Sequence, residues 1–429
     1  MDTLKKTLDK KIPAWRKEHR QLLKQNGDKS VSTITLAQLF KGLRGVNAVH
    51  CDTSFVDPVK GLFIRNIPLM ELIKCSAEEI FFLLCTGDRP SEKARLGLQN
   101  ELQSRSSVPP YVWNILDTLP KDTHPMTMLS IAVLSMRRES VFEKKYLVGM
   151  PKDEHWEATL EDALTILGRL PVIAAGIYRR YILNESLPAS RPDLGFSDNF
   201  AYLLGVGKYS GAFGEFIRQF VIVHSDHEGA NASVLTSRIV NSSLSDLFYS
   251  LSGAMNCLAG PLHGLANQES VKFSLQILEK FTGTPTDEDL KVYIETLLQS
   301  GKVIPGFGHA VLRDHDPRFQ AMFDLAQQIC PDDQLFTITE KLSRLVPPLL
   351  LKQGKAKNPY PNIDGISGTL LYYFGIRDLR FYTVMFSVAQ SLGICAQLIL
   401  NRAIFSPIFR PKSVTTQWLQ EHFRTHTDT

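Results

Sequence analysis

Apolar residues recur along most of this chain at the three- and four-residue spacing of amphipathic helices. The clearest series are Leu160, Ala163, Leu164 and Leu167, followed by Phe213, Phe216, Ile217 and Phe220. Alternating, strand-like runs are scarce, and residues 31–36 and 61–67 form the only plausible short pair. The pattern therefore predicts an almost entirely helical, all-α protein.

Residues 1–26 are basic and carry apolar side chains at helical spacing, as a targeting segment would. However, transit peptides are poor in acidic residues, and Asp2, Asp9 and Glu18 lie here. We therefore interpret this segment as the first structural helix and see no intact transit peptide. The expected compartment is the mitochondrial matrix, after removal of a presequence, or the cytoplasm.

Residues 381–400 carry no charge and are long enough to cross a bilayer. Gln390 and Gln397 argue against that location, because unpaired amides are costly in lipid. A helix that is apolar on all sides in a large protein is usually buried in its core. We predict a core helix and no membrane partner.

Length, charge and cysteine content exclude several classes of protein. A chain of 429 residues is too long for one small core. The net charge of +4, without a Lys/Arg block, argues against a nucleic-acid partner but suits small anionic substrates. Six cysteines without CxxC spacing predict reduced thiols rather than a disulfide framework or a zinc site.

Glycine and proline punctuate the second half of the chain. This pattern favours a smaller domain that spans residues 268–373 and closes over a larger one. The larger domain would consist of residues 1–267 and 374–429, with the active site at the seam.

Three distant segments each place one acid/base residue among glycine and proline. They are Leu258-Ala-Gly-Pro-Leu-His-Gly264, Pro305-Gly-Phe-Gly-His-Ala310 and Pro361-Asn-Ile-Asp-Gly365. Glycine permits close backbone approach, and proline fixes the direction of the chain. Two histidines and one carboxylate (His263, His309 and Asp364) suit the removal of a carbon-bound proton while imidazoles stabilise oxyanions.

Together with Val223-His-Ser-Asp-His-Glu-Gly229, Gly354-Lys-Ala-Lys-Asn-Pro359 and Arg410-Pro-Lys-Ser413, these segments resemble the citrate synthase family in its eukaryotic form. The resemblance covers nearly the whole chain. It implies a helical homodimer and an acyltransferase that condenses an acyl-CoA with oxaloacetate or a similar 2-oxo dicarboxylate, without cofactor or metal. By resemblance, Asp364 is the base, His263 binds the thioester oxygen and His309 the keto oxygen.

The resemblance also assigns binding residues. His227 and Arg318 would hold the keto acid together with Arg410, which is supplied across the dimer. The positions that match CoA-binding residues of the family are Arg44, Lys152, Lys355 and Lys357.

This sequence departs from the family where a third carboxylate-binding arginine is expected, because Gln390 occupies that position. Replacing a charge-assisted hydrogen bond by a neutral one should weaken dicarboxylate binding roughly ten-fold or more. Either another cation compensates, or the carboxylate is bound differently, or the keto acid is not oxaloacetate.

Two further departures are Gly365-Ile366 after the base and Ile64-Arg65-Asn66-Ile67 early in the chain. They favour an acyl group larger than acetyl, as in alkylcitrate and methylcitrate relatives. Three alternatives stay open. They are an ordinary citrate synthase that uses acetyl-CoA, a catalytically weak structural or interaction protein, and a zinc hydrolase in which His224 and His227 share a helix face.

Overall fold

The computed structural model describes residues 2–206, 211–354 and 356–425, and it confirms the predicted all-α fold. Its α-helices are α1 (Asp2–Asn26), α2 (Leu36–Phe40), α3 (Ala77–Thr86), α4 (Glu92–Ser104), α5 (Pro110–Asp117), α6 (Pro125–Ser135), α7 (Val141–Leu147), α8 (His155–Gly176), α9 (Phe196–Leu204), α10 (Gly211–Val223), α11 (Ala232–Ser242), α12 (Leu247–Leu258), α13 (Ala266–Phe281), α14 (Asp287–Gln299), α15 (Pro317–Ile329), α16 (Gln334–Gln353), α17 (Asp364–Tyr373), α18 (Tyr382–Ala403) and α19 (Thr416–Thr425). Short 3₁₀ turns cover Leu69–Glu71, Met136–Glu139, Lys152–Glu154 and Leu379–Phe381, and a π-helix covers Ile177–Leu183.

The first helix is part of the folded core, as the sequence predicts. In α1, Leu4, Leu8 and Ile12 are almost fully buried and belong to the main hydrophobic cluster. Their spacing of four residues places them on one face of the helix, while the charged residues face outward.

The strands of the described residues form one small antiparallel sheet, β1 (Ser54–Asp57), β2 (Gly61–Ile64) and β3 (Ile67–Pro68), in the order β1-β2-β3. The predicted strand at residues 31–36 is wrong. Thr35 instead caps α2, because its hydroxyl accepts from the Gln38 N–H and the Gln38 side chain accepts from the Thr35 N–H.

The apolar helix α18 is buried inside the protein and packs against α8 and α3. Among the described residues, Leu379–Ala403 is the one stretch long and apolar enough to cross a membrane, and 89% of its most apolar window is buried. Such burial is expected of a core helix, as predicted.

In the described part of the chain, two hydrophobic clusters form the interior. The larger contains most helices, and the smaller packs α13, α14 and α16 together through residues such as Ile277, Ile294 and Ile338. The smaller cluster lies within residues 268–373, although Phe319 and Ile366 of that segment belong to the larger cluster. The division into two domains stays a prediction.

Candidate active site

Two of the glycine-rich segments are in direct backbone contact. Gly306 has φ +81°, and a Cβ on it would lie 2.7 Å from the Cα of Gly365. The Asn362 N–H donates to the Gly306 carbonyl (2.9 Å), and Phe307 and Pro361 form an isolated β-bridge. Only glycine fits at position 306 without strain. The close approach expected from the sequence brings the segments of His309 and Asp364 together.

Seven residues singled out in the sequence line one cavity of about 190 Å³. They are His224, His227, His263, His309, Arg318, Asp364 and Gln390. The apolar part of the wall comes from Val223, Ile363 and Phe386, and three asparagines, Asn231, Asn267 and Asn362, add polar groups. A cavity onto which several polar side chains converge is typical of a small-molecule site.

Asp364 is the first residue of α17, and its backbone N–H donates to the side-chain oxygen of Asn362 (2.9 Å). Burial raises the pKa of its carboxyl to about 6, while the nearby Arg318 charge opposes that shift. A carboxylate with a raised pKa is a stronger base than an exposed one and is still ionised at neutral pH.

His309 is held in one neutral tautomer. Its Nδ1 accepts hydrogen bonds from the backbone N–H groups of Val311 (3.1 Å) and Leu312 (2.9 Å). Burial, reinforced by the Arg318 charge, lowers its pKa to about 4. Because Nδ1 is an acceptor, the ring proton is on Nε2, which is then available as a donor to a ligand.

His263 is held in the opposite tautomer. Its Nε2 accepts the backbone N–H of Ser233 (3.2 Å) and lies 3.0 Å from the Ser233 hydroxyl. Burial lowers its pKa, so the ring is neutral with its proton on Nδ1. The two histidines therefore offer neutral N–H donors through different ring nitrogens.

Arg318 lies in the first turn of α15 and forms a two-point ion pair with Asp316 (Nε–Oδ1 3.0 Å, Nη2–Oδ2 2.9 Å). Asp316 also accepts from the Ile363 N–H (3.1 Å), next to Asp364. This network fixes the guanidinium against the cavity and leaves its Nη1 to meet an anionic ligand.

His227 packs against His309, with 5.7 Å between ring centroids, and burial beside Arg318 lowers its pKa to about 3. The preceding Asp226 is fully buried and accepts from the Thr53 hydroxyl (2.5 Å) and the Ser54 hydroxyl (2.9 Å). Thr53 and Ser54, at the start of β1, thus fix the backbone next to His227.

The expectation that His224 and His227 share a helix face is wrong, because α10 ends at Val223. His224 Nδ1 bonds the Phe220 carbonyl (2.8 Å), and its ring packs on Phe220 at 4.3 Å. Burial lowers the pKa of His224 to about 3, which keeps it neutral. The pair is therefore not arranged as an i, i+3 metal site.

Gln390 points from the middle of α18 into the cavity and is 1% exposed. Its Oε1 accepts from the Ser233 hydroxyl (3.1 Å), and its Nε2 donates to Asn231 Oδ1 (3.4 Å). The departure from the family pattern therefore lies in the wall of the candidate site.

Sequence reasoning missed Ser233. This residue contacts both His263 and Gln390, and its hydroxyl also lies 2.8 Å from Asn231 Oδ1. Asn231 is the N-cap of α11, so the pair reads in the sequence as an ordinary helix start. The proximity of Ser233 to the motif that ends at Gly229 was the only signal.

Four predicted cationic residues do not line the cavity of their own chain. Arg410, Arg44 and Lys357 are exposed. Lys152 is also exposed, and its ammonium lies 4.9 Å from the ring centroid of Phe405. Lys355 lies outside the described residues.

Comparisons with known proteins agree over almost the whole chain. A family model described as citrate synthase, C-terminal domain, matches residues 42–412. Citrate synthase 4, mitochondrial, of Arabidopsis thaliana is 40% identical over 98% of this chain and 90% of its own length. Mitochondrial citrate synthase of Saccharomyces cerevisiae is 40% identical over 98% of this chain and 89% of its own length.

The fold agrees as well. The crystal structure of citrate synthase from Pyrobaculum aerophilum superimposes with a TM-score of 0.79 at 27% identity, covering 90% of this chain and 95% of that one. Sequence match, fold and the convergence of His263, His309 and Asp364 on one cavity lead to the same conclusion: this chain belongs to the citrate synthase family.

Proposed function

We propose that this protein condenses an acyl-CoA with oxaloacetate, or a similar 2-oxo dicarboxylate, and releases CoA. The observation that carries the proposal is the single cavity in which a carboxylate of raised pKa faces two neutral imidazoles. The chemistry requires a base for a weak carbon acid and a hydrogen-bond donor for each developing oxyanion.

In this mechanism, Asp364 removes a proton from the carbon next to the thioester carbonyl. The His263 Nδ1–H donates to the thioester oxygen as the enolate forms. The enolate carbon then attacks the keto carbon, and the His309 Nε2–H donates to the developing alkoxide. Water hydrolyses the resulting thioester, which gives a tricarboxylic acid and free CoA, and neither metal nor cofactor takes part.

The keto acid would bind to His227, Arg318 and Gln390 of one chain and to Arg410 of a second copy. Support for a homodimer comes from the position of the remaining cations. The segments that carry Arg44 and Arg410 border one exposed apolar groove, and Lys152 contacts Phe405 next to it. A second copy that covers this groove would bring Arg410 to the keto acid of its partner, and Arg44, Lys152, Lys355 and Lys357 would bind the acyl-CoA.

For the acyl group we propose a chain longer than acetyl, on the basis of the sequence departures at Gly365-Ile366 and Ile64–Ile67. The second candidate is an ordinary citrate synthase specific for acetyl-CoA. Two observations favour it: Ile366 is fully buried in the core rather than in the cavity wall, and the relatives above are named citrate synthases. The names of these relatives also support a mitochondrial location.

The test is CoA release by the purified protein with oxaloacetate, across acyl-CoAs from acetyl upward, with products identified by mass. A maximum at acetyl-CoA establishes the second candidate, and a maximum at a longer chain establishes an alkylcitrate synthase. No release with any 2-oxo acid would refute the proposed function and leave the catalytically weak structural protein.

A further inference from the structure

We propose that His19, His50 and Asp52 form a binding site for one transition-metal dication, with Zn²⁺ the best match. The site lies outside the cavity described above and takes no part in the proposed condensation. It joins α1 to the segment that leads into β1.

The three side chains converge on one point. His50 Nε2 lies 3.0 Å from Asp52 Oδ1, and His19 Nε2 lies 3.9 Å from Asp52 Oδ2. One ligand atom from each residue falls within 4.8 Å of the other two. Tetrahedral zinc needs ligand atoms roughly 3.3 Å apart, given Zn–N and Zn–O bonds of about 2.0–2.1 Å. A small closing movement of His19 is sufficient.

His50 and Asp52 contact each other, and Asp52 also approaches His19 of α1. Next to them, Thr53 is buried and Cys51 is partly buried, and their Oγ1 and Sγ are 3.2 Å apart. In a single chain, His50 and Asp52 are about half exposed, and His50 also borders the groove that a second copy would cover.

The backbone of this segment is fixed before any metal binds. The His50 carbonyl accepts from Arg238 Nη2 (2.7 Å), and the Thr53 carbonyl accepts from the Arg65 N–H (2.9 Å). On the other side, α1 is anchored close to His19 by the Arg16 Nε bond to the Ala403 carbonyl (2.6 Å). Pre-organised ligands lower the entropy cost of closing the site.

Charges near the site do not exclude a cation. Arg65 and Arg238 border the same pocket, but Arg65 donates to the Leu84 carbonyl and Arg238 to the His50 carbonyl. The Asp52 carboxylate also acts electrostatically on both arginines. Two imidazoles together with one carboxylate form a ligand set that zinc prefers, as in sites that keep a water ligand.

A metal here would reinforce the support of the candidate active site. The same segment continues into Thr53 and Ser54, which hold Asp226, the residue before His227. Binding to the folded form alone raises stability by mass action. We therefore expect metal to raise the melting temperature of the protein.

The test uses the tag-free, full-length protein, stripped with chelator and titrated with Co²⁺, whose tetrahedral complexes absorb in the visible range. We expect one Co²⁺ per chain, displaced by Zn²⁺, and a higher melting temperature with either metal. His50→Ala and Asp52→Asn should each weaken binding by more than the roughly 10–100-fold that loss of an outer-sphere partner costs. His422→Ala, which removes a histidine on α19, is the matched control and should bind like the wild type.

Both exposed-site variants should melt at the wild-type temperature without metal, which separates loss of a ligand from misfolding. Wild-type affinity in His50→Ala and Asp52→Asn would overturn the proposal, because the metal would then bind elsewhere. Weak, sub-stoichiometric binding would also overturn it and indicate an adventitious ion only. Condensation activity is a separate readout, so failure here leaves the proposed function untouched.

Discussion

Placing an arginine at position 390, where the family has one, is the sharpest test of how the keto acid is bound. Gln390 is buried, and its amide contacts Ser233 and Asn231 at the edge of the cavity. In Gln390→Arg, the longer side chain has the 190 Å³ cavity to extend into. A guanidinium there would face a carboxylate of oxaloacetate in place of a neutral amide.

The gain follows from the difference between two kinds of hydrogen bond. Bonds to charged groups contribute about 1.5–3 kcal/mol and neutral ones about 0.5–1.5, so the exchange is worth roughly 1–1.5 kcal/mol. That corresponds to about ten-fold tighter binding. Ser233 loses one acceptor but keeps Asn231 Oδ1 at 2.8 Å, so its hydroxyl stays satisfied.

The assay is equilibrium titration of the protein with oxaloacetate in the absence of acyl-CoA. The control variant is Gln390→Glu, whose side chain has the size of glutamine and a charge opposite to that of arginine. It should weaken binding of the oxaloacetate dianion. Pyruvate, which lacks the distal carboxylate, identifies the carboxylate that position 390 faces, because its affinity changes only if that carboxylate is the one next to the ketone. Unchanged or weaker oxaloacetate binding by Gln390→Arg would refute the reasoning and show that the pocket is built around a different acceptor.

Three further outcomes are expected. Asp364→Ala should lower turnover by about 100- to 10,000-fold while oxaloacetate binding by calorimetry persists, and an active variant would exclude Asp364 as the base. In the wild type, kcat/KM should fall ten-fold per pH unit below about pH 6, because the base with its raised pKa is ionised above that value and protonated below it; a flat profile down to pH 5 would contradict this role. Gly306→Ala should lower the free energy of unfolding by more than about 1 kcal/mol in urea titration, since its Cβ would meet Gly365, whereas Gly97→Ala in α4, with open space, should not destabilise.

The apolar periodicity was sufficient to predict the helical class, and the resemblance to citrate synthases was sufficient to predict that His263, His309 and Asp364 lie together. Glycine at 306 and 365 indicated close backbone approach but not its partner. The local sequence pattern was misleading where contacts between distant segments decide the secondary structure. Val31 and Ile34 look like strand residues, yet both are exposed, and Thr35 starts a helix instead. Pro347 and Pro348, which suggest a break, lie inside α16.

Roles that depend on hydrogen bonds between distant residues left no pattern to read. Ser233 and Gln390 are 157 positions apart, and their contact exists only because α11 packs on α18. His19 of α1 and Asp52 are likewise distant in the sequence and come within 3.9 Å of each other only in the folded chain. The periodicity of apolar residues shows which face of a helix or strand is buried, but it does not show which other element packs against that face.

The electrostatics of the cavity predict that binding of the keto acid accelerates the later removal of the proton by Asp364. Arg318 opposes the effect of burial on Asp364, so the pKa of the base is held below the value that burial alone would give. A dicarboxylate that pairs with Arg318 would neutralise that charge, raise the pKa of Asp364 further and make it a stronger base.

Proton abstraction should therefore be faster once the keto-acid site is filled. The measurement is exchange of deuterium from solvent into the carbon next to the thioester carbonyl of acyl-CoA, with and without malate, a dicarboxylate that lacks the reactive ketone. Malate should accelerate exchange in the wild type but not in Asp364→Ala. Equal exchange rates with and without malate would mean that Arg318 binds the acceptor without controlling the base.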